Sequence, residues 1–330
     1  MQSLLAGPTM YACIDLGSNS FHLLIGEWVD GRIQIIERCS EKVQLGENVG
    51  ATGKISADAF QRGLACLQHF KLLMDQYPLE QYWALGTNAF RVASNAGVFI
   101  KSAGKLGIDI SAISGVQEAI LVYAGVISAL PATDAQRLVI DIGGGSTEVI
   151  VGRQSQRLLT SSLAIGSVAW RDRFFSDQFA SDSARLDRQL DKGVKAAKKL
   201  FRKTAPAVFR AGWSEVYASS GTSKMLMYIC QEHGYGDGGI RRNGLVQLRH
   251  AIIESICNNT ELPGIKEERR DLLLAGWCIM VALMKVYEIK RIRFSPTALR
   301  EGMLDFMAKN KQTLKTLRNS DMPAVRQATD

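Results

Sequence analysis

A chain of 330 residues is long enough for about two domains of ordinary size, each with its own core. With 46% hydrophobic and 22% charged residues, it has neither the polar bias of a disordered chain nor the apolar runs of a membrane-embedded one. Forty basic against 32 acidic residues leave a net charge of +8, which favours an anionic partner without choosing among nucleic acid, membrane surface and phosphorylated metabolites. The cysteines (13, 39, 66, 230, 257, 278) include no CxxC pair and read as reduced, mostly buried thiols; the four histidines are scattered. A metal centre of His and Cys is therefore not expected. The N-terminal ten residues lack the basic region of a signal peptide, and the apolar run Leu272 to Met284 is too short to span a bilayer and is closed by Lys285. That run reads as a helix buried in a core. A cytoplasmic protein with no membrane partner is expected.

In chain order, the first signal is an apolar stretch, Tyr11 to Ile14, followed by Asp15-Leu16-Gly17-Ser18-Asn19-Ser20 and a β-rich run from Phe21 to Trp28. This reads as a hairpin with an acidic residue and bare backbone amides near its tip. A helix is expected over Ser56 to Gln76, where Phe60, Leu64, Leu67 and Leu72-Leu73 recur at helical spacing. Next come a strand at Tyr82 to Leu85, a helix from Ala89 to Leu106 broken at its glycines, a strand at Ile108 to Ile113 and a helix from Gln117 to Leu130. The opening pattern then recurs: Leu138-Val139-Ile140, Asp141-Ile142-Gly143-Gly144-Gly145-Ser146, and a second β-rich run over Thr147 to Val151. The echo indicates a duplicated domain. Beyond it lie a strand at Leu158 to Leu163, a long polar helix at Ser183 to Lys203, a strand at Glu215 to Ala218, and then mostly helix. Strands alternating with helices indicate an α/β architecture. The likeliest hinge falls near Glu118 to Val126, and the polar, basic tail after Lys309 is expected to fray.

A Gly/Ser turn after a strand points several backbone N–H groups at one place, where an anion can be cradled. Two such turns, Gly17 to Ser20 and Gly143 to Ser146, would clamp a phosphate chain from both sides. Asp141 and Glu148 flank the second turn, and hard carboxylates beside a phosphate cradle suit Mg²⁺ or another divalent cation; Asp15 is the matching acid of the first turn. Arg91, in GTNAFRVA, is placed to pair bidentately with a terminal phosphate. Glu118 enters a helix after Ser114-Gly115-Val116-Gln117, where the helix dipole alone already favours a carboxylate.

These residues, in this order, resemble the exopolyphosphatase/guanosine pentaphosphate phosphohydrolase (Ppx/GppA) family, within the wider superfamily of acetate kinases, sugar kinases and actin-like ATPases. The resemblance is carried by DLGSNSFHLLI (Asp15 to Ile25), GTNAFRVASNA (Gly86 to Ala96), ISGVQEA (Ile113 to Ala119), DIGGGSTE (Asp141 to Glu148), ASSGT (Ala218 to Thr222) and ALREGML (Ala298 to Leu304). It implies an α/β fold of two ribonuclease-H-like domains with the active site in the cleft between them. Domain I would comprise residues 10–123 plus 298–312, domain II residues 124–297, and a basic tail residues 313–330. By the same resemblance Glu118 matches the catalytic glutamate that activates water, and Arg91 the arginine on the terminal phosphate. Asp141, Glu148 and Asp15 match the Mg²⁺-associated acids. Gly17, Ser18, Asn19, Ser20 and Gly143, Gly144, Gly145, Ser146 match the phosphate loops. Ser220, Gly221 and Thr222 occupy the superfamily's nucleoside-binding motif, which polyphosphate does not need. The last helix would return to domain I.

The implied activity is release of terminal phosphate from inorganic polyphosphate or guanosine pentaphosphate, with Mg²⁺, no specific nucleic acid partner, and a homodimer as one allowed assembly. Two departures accompany the match. The chain ends at Asp330, too soon after ALREG for the HD-like helical domain many relatives carry, so short substrates are expected to be preferred over long chains. The ALREG segment follows Ser295-Pro296-Thr297 rather than the usual Asp-Gly. Two other functions compete. An ATP-dependent kinase of the same superfamily would use the ASSGT motif, but a water-activating Glu118 would make it wasteful. A catalytically silent guanosine polyphosphate-binding module has no need to keep Glu118, Asp141, Glu148 and Arg91 together. One further feature comes from spacing alone: Arg185, Arg188, Lys192, Lys195, Lys199 and Arg202 form a basic stripe on a helix, read first as a solvated face and alternatively as a track for a long polyanion.

Overall fold

The computed structural model describes residues 9–176 and 182–310; the expected tail, 313–330, lies outside the described residues. Among these residues the chain forms two compact α/β units, one of residues 9–129 with 299–310 and the other of residues 130–298.

The first unit opens with β1 (Thr9–Leu16), β2 (Ser20–Val29) and β3 (Arg32–Lys42), paired antiparallel in sequence. The strand β3 was missing from the sequence expectation because its residues, RIQIIERCSEK, are too charged to read as a core strand. Its signal was the two-residue turn before it: Asp30 (φ 49) and Gly31 (φ 77) both take the left-handed conformation that closes a tight hairpin. After the short α1 (Val49–Thr52) comes α2 (Ala57–Met74), capped by Ser56, whose side chain accepts from Ala59 N. Then β4 (Leu79–Gly86) pairs parallel with β1. The helix expected over 89–106 is two helices, α3 (Asn88–Val92) and α4 (Ala96–Lys105). The break is at residues 93–95 rather than at the glycines: the Asn95 side chain accepts from Ile55 N and donates to Ile55 O, both at 2.9 Å, and this clamp fixes a turn there. Next, β5 (Ile110–Ala112) pairs parallel with β4, and α5 (Gly115–Ser128) follows it.

The expected hinge at 118–126 is therefore unbroken helix, and the division between the units falls after Ala129, at the end of α5, not after residue 123. A helix with its hydrogen bonds intact has no soft dihedral to bend at.

The second unit repeats the plan. The strands β6 (Gln136–Ile142), β7 (Thr147–Arg153) and β8 (Gln156–Leu163) are antiparallel in sequence. They are followed by α6 (Ser167–Phe174), α7 (Ser183–Phe201), α8 (Ala205–Ala211), and β9 (Glu215–Ser219), parallel to β6. Then come α9 (Ser220–Glu232), β10 (Gly239–Arg241), α10 (Arg242–Asn258), a 3₁₀ turn at Glu267–Leu272, α11 (Leu273–Val286) and β11 (Arg291–Phe294), parallel to β9. The chain ends its described course in α12 (Leu299–Asn310), which belongs to the first unit.

The sheet orders are β3-β2-β1-β4-β5 and β10-β11-β9-β6-β7-β8. Apart from the added edge strand β10, the order and the parallel/antiparallel pattern are the same, which is the ribonuclease-H-like arrangement in duplicate. In the first unit Ala12, Ile14, Leu16 and Phe21 form a core with Phe70 of α2, Phe90 of α3 and Phe99 of α4. The Phe99 ring meets those of Phe21, Phe60 and Phe90 edge-on. Gly302 on α12 lets that helix lie directly on α5, since a Cβ there would fall 1.9 Å from Leu121 O. In the second unit the run expected as a buried helix is α11, apolar on every side and enclosed by the core it shares with α7 and α10. No helix among the described residues is long and apolar enough to cross a membrane.

Candidate active site

In the first unit the C-terminal ends of β1, β4 and β5 are tied together at one sheet edge. Thr87 donates to Leu16 O through both its backbone N–H and its hydroxyl, each at 3.3 Å, and Ile113 N donates to Gly86 O at 3.0 Å. The turns that follow the three strands, at 17–19, 87 and 113–114, thus share the edge at which open α/β sheets bind ligands.

The first turn is a tight cradle. Gly17 N donates to Ser20 O at 3.2 Å and Asn19 Nδ2 to Ser20 Oγ at 3.2 Å. The segment after β3 supports it from the side: Val43 N and Gln44 N donate to Asn19 O, and Gly46 N donates to Ser18 O at 2.8 Å. That approach requires Gly46, because a Cβ would come 2.6 Å from Ser18 Cβ. Asn19 Oδ1 is buried with no hydrogen-bond partner among the described residues, an acceptor left over in the cradle.

Arg91 and Glu118 meet at this edge. Arg91 Nη1 donates to Glu118 Oε2 at 2.8 Å and to Ile113 O at 3.0 Å. Glu118 sits in the first turn of α5, behind a capping box in which Ser114 Oγ accepts from Gln117 N while Gln117 Oε1 accepts from Ser114 N. The carboxyl is only 8% exposed, and burial pushes its pKa above the ordinary carboxylate range while the Arg91 guanidinium pulls it back. The sequence placed the two residues in separate roles; their direct pairing is a product of the tertiary fold. A guanidinium carries five N–H donors, so one nitrogen on Glu118 is compatible with others on a phosphate.

The second unit holds the matching turn. Gly143 N donates to Ser146 O at 2.9 Å, the counterpart of the Gly17 bond. The start of α6 supports it: Ser167 N and Oγ donate to Gly143 O, and Val168 N and Ala169 N to Gly144 O. Gly166 plays the part of Gly46, since a Cβ there would come 2.4 Å from Gly144 C. Both supporting glycines were missed in the sequence, because neither lies in a motif and each is explained only by the backbone it passes.

Asp141 and Glu148 are directly opposite each other on β6 and β7, in the register that sets Asp15 opposite His22 on β1 and β2. Glu148 is 1% exposed and accepts from Ser162 Oγ at 2.8 Å. Asp141 also neighbours Ser219 of β9 in register. The structure therefore brings Asp141, Glu148 and Gly143 to Ser146 together in one unit, and Asp15, Gly17 to Ser20, Arg91 and Glu118 together in the other.

Ser220, Gly221 and Thr222 open α9 after β9, where Ser220 takes a positive φ of 83. A side chain that sequence reasoning did not single out lies against them. The guanidinium of Arg269 covers Gly221 so closely that a Cβ there would be 2.3 Å from Nη1. Burial lowers its pKa, against the opposing charges of Glu268 and Asp271. No motif flagged it; it comes from the charged stretch EERRD, which reads as solvated surface.

The basic stripe lies along α7. All six cations are exposed, while Leu186, Leu190, Val194, Ala197 and Phe201 are buried beneath them. Arg249 of α10 pairs with Asp187 and Asp191 on the same helix. An amphipathic helix with one face in a core accounts for that pattern.

Comparison with solved structures agrees with this geometry. An exopolyphosphatase from Cytophaga hutchinsonii superposes with a TM-score of 0.81 at 27% identity, covering 91% of this chain and 98% of that one. The Ppx/GppA family member of Aquifex aeolicus gives 0.73 at 23% identity, over 92% and 99% of the two chains, a likeness of fold. An exopolyphosphatase-like protein gives 0.80 at 21%, over 91% and 98%. Residues 24–311, a span that reaches into both units and includes the Gly143 to Ser146 turn, match the model of the Ppx/GppA phosphatase family. With its duplicated sheet and its acids at the sheet edges, the chain belongs to the Ppx/GppA phosphatase family.

Proposed function

We propose that the protein releases terminal orthophosphate from a linear phosphoanhydride chain, inorganic polyphosphate or guanosine pentaphosphate, by direct attack of a water molecule that Glu118 deprotonates. The observation that carries this reading is the buried Glu118 carboxyl, held by Arg91 at 2.8 Å on the sheet edge that also bears the Gly17 to Ser20 cradle. Phosphoryl transfer to water needs positioning and charge neutralisation more than covalent chemistry. Backbone N–H groups of the Gly17 to Ser20 turn hold phosphate oxygens, Arg91 turns its guanidinium to the terminal phosphate, and Glu118 takes the proton of the attacking water. The raised pKa of Glu118 suits that role, because a base closer to neutrality accepts a proton more readily.

Asp141 and Glu148 fit Mg²⁺: two hard carboxylates, opposite in register beside a phosphate turn, are what this cation takes when substrate oxygens and water complete its shell. Asp15 is the third acid of the set. When bound, the ion would neutralise charge on the phosphate chain.

The kinase alternative is disfavoured on the same residues. Arg269 lies over Gly221, so the nucleoside-like motif presents a cation where a base pocket would be open. The test is phosphate release from polyphosphate and from guanosine pentaphosphate, side by side, with no acceptor present, before and after chelation of divalent cations. Release from at least one substrate, lost on chelation and restored by Mg²⁺, is expected. Phosphate transfer that requires an acceptor would overturn the reading.

A further inference from the structure

Away from the phosphate turns, the fold gathers residues that the sequence scatters. Cys39 and Glu41 stand two apart on β3, on the half-buried face of that edge strand. Cys66 and His69 stand three apart on α2, which puts them on neighbouring positions of one helix face. One donor atom each from Cys39, Glu41 and His69 lies within 4.8 Å of the other two, and His69 Nδ1 is 2.5 Å from Glu41 Oε1. One thiol, an imidazole and a carboxylate thus meet between β3 and α2, and the second thiol, Cys66, lies near Glu41 and Cys39 on the helix face that carries His69.

We propose that Cys39, Glu41, Cys66 and His69 form a binding site for a zinc-class divalent cation, separate from the phosphate turns. The donor set decides the class of metal. Sulfur and imidazole select zinc or its congeners over Mg²⁺, which takes oxygen. The spacing suits a tetrahedron: metal–sulfur bonds of about 2.3 Å and metal–nitrogen bonds of about 2.0 Å leave neighbouring donor atoms roughly 3.3–3.8 Å apart. Side-chain adjustments of about an ångström, well within rotamer freedom, close the observed cluster to that size. A cation binds cysteine as thiolate, so its binding would release the thiol protons to solvent. Entry is open, since the side chains of His69 and Glu41 are 52% and 36% exposed. An ion here would pin the edge strand β3 to α2, and by binding only the folded state it would stabilise the first unit.

The test uses the whole protein, stripped with chelator and kept under a phosphine reductant so that no disulfide forms, and titrated with Co²⁺ as the probe. A thiolate-to-cobalt absorption band saturating at one equivalent, displaced by Zn²⁺, is expected, with a higher unfolding midpoint in the presence of Zn²⁺. Cys39→Ser and Cys66→Ser should each cut the band to about half, one of two thiolates remaining. His69→Ala, a change at an exposed position, should weaken binding by about tenfold or more while the apo protein unfolds as before. Absence of the band in the wild type, or an undiminished signal in any of the three variants, would overturn the site.

Discussion

The two Gly/Ser turns are built alike and equipped differently. In each, the first glycine donates to the serine three residues on, a Cβ-less residue from the next segment passes against the second residue, and the strand pair places one acid at the same register position. Opposite that acid the first unit has His22 and the second has Glu148. The first unit adds the Arg91–Glu118 pair at the neighbouring strand ends, whereas the second adds Ser219 and the Arg269 guanidinium. The scaffold, then, is the same in both places, while the side chains differ: a glutamate paired with an arginine in one unit, two acids opposite each other in the other.

The sharpest way to break that division is to remove one side of it at a time. Glu118→Gln preserves shape and deletes the base, so kcat should fall by about 10²-fold or more with KM little changed. Asp141→Asn should instead raise the Mg²⁺ concentration for half-maximal rate. Steady-state kinetics across a Mg²⁺ series separates the two, and a Glu118→Gln enzyme with near-normal kcat would end the assignment.

The backbone likeness can be tested on its two supporting glycines. Gly166→Ala meets rigid backbone at 2.4 Å and Gly46→Ala meets Ser18 Cβ at 2.6 Å. Both should destabilise, by about 1–3 kcal/mol, as overpacking of a tight site does, with Gly166→Ala the costlier because no side chain there can yield. Urea unfolding of the two variants measures the difference, and stability equal to wild type in either would contradict the close approach.

A subtler effect concerns pH. Burial raises Glu118, so the stability this group contributes is present below the ordinary carboxylate range and is lost as pH rises through its elevated value. Arg91 opposes that loss. Removing the cation by Arg91→Met should raise Glu118 further and move the acid limb of kcat/KM to higher pH, beside any loss of phosphate binding; an unmoved limb would show that another group controls it.

The smallest expected effect lies outside the comparison, on the exposed stripe of α7. Lys192→Glu with Lys195→Glu should leave kcat/KM unchanged across polyphosphate chain lengths and at two salt concentrations, because a solvated face of an amphipathic helix needs no ligand to explain it. Efficiency that rises with chain length and collapses with salt or with the charge reversal would instead make the stripe a polyanion track.

The sequence by itself determined the parts governed by local pattern. The strand–acid–glycine echo at Asp15 and Asp141 announced the duplication, since an apolar strand run and the Gly/Ser turn that ends it act within a few positions of each other. The helix entry at Ser114 to Gln117 and the all-apolar run now seen as α11 were legible for the same reason. What it left undecided depended on partners far along the chain. The edge strand β3 is held by pairing with β2 despite its charge; the break at residues 93–95 is set by Asn95 reaching Ile55; Gly302 is explained only by the carbonyl of Leu121. The Arg91–Glu118 pair, the Arg269 guanidinium on Gly221 and the meeting of Cys39, Glu41 and His69 belong to the same class. Each joins residues whose separation in sequence carries no periodicity, so only the tertiary fold, by fixing which strand ends and helix faces touch, decides it.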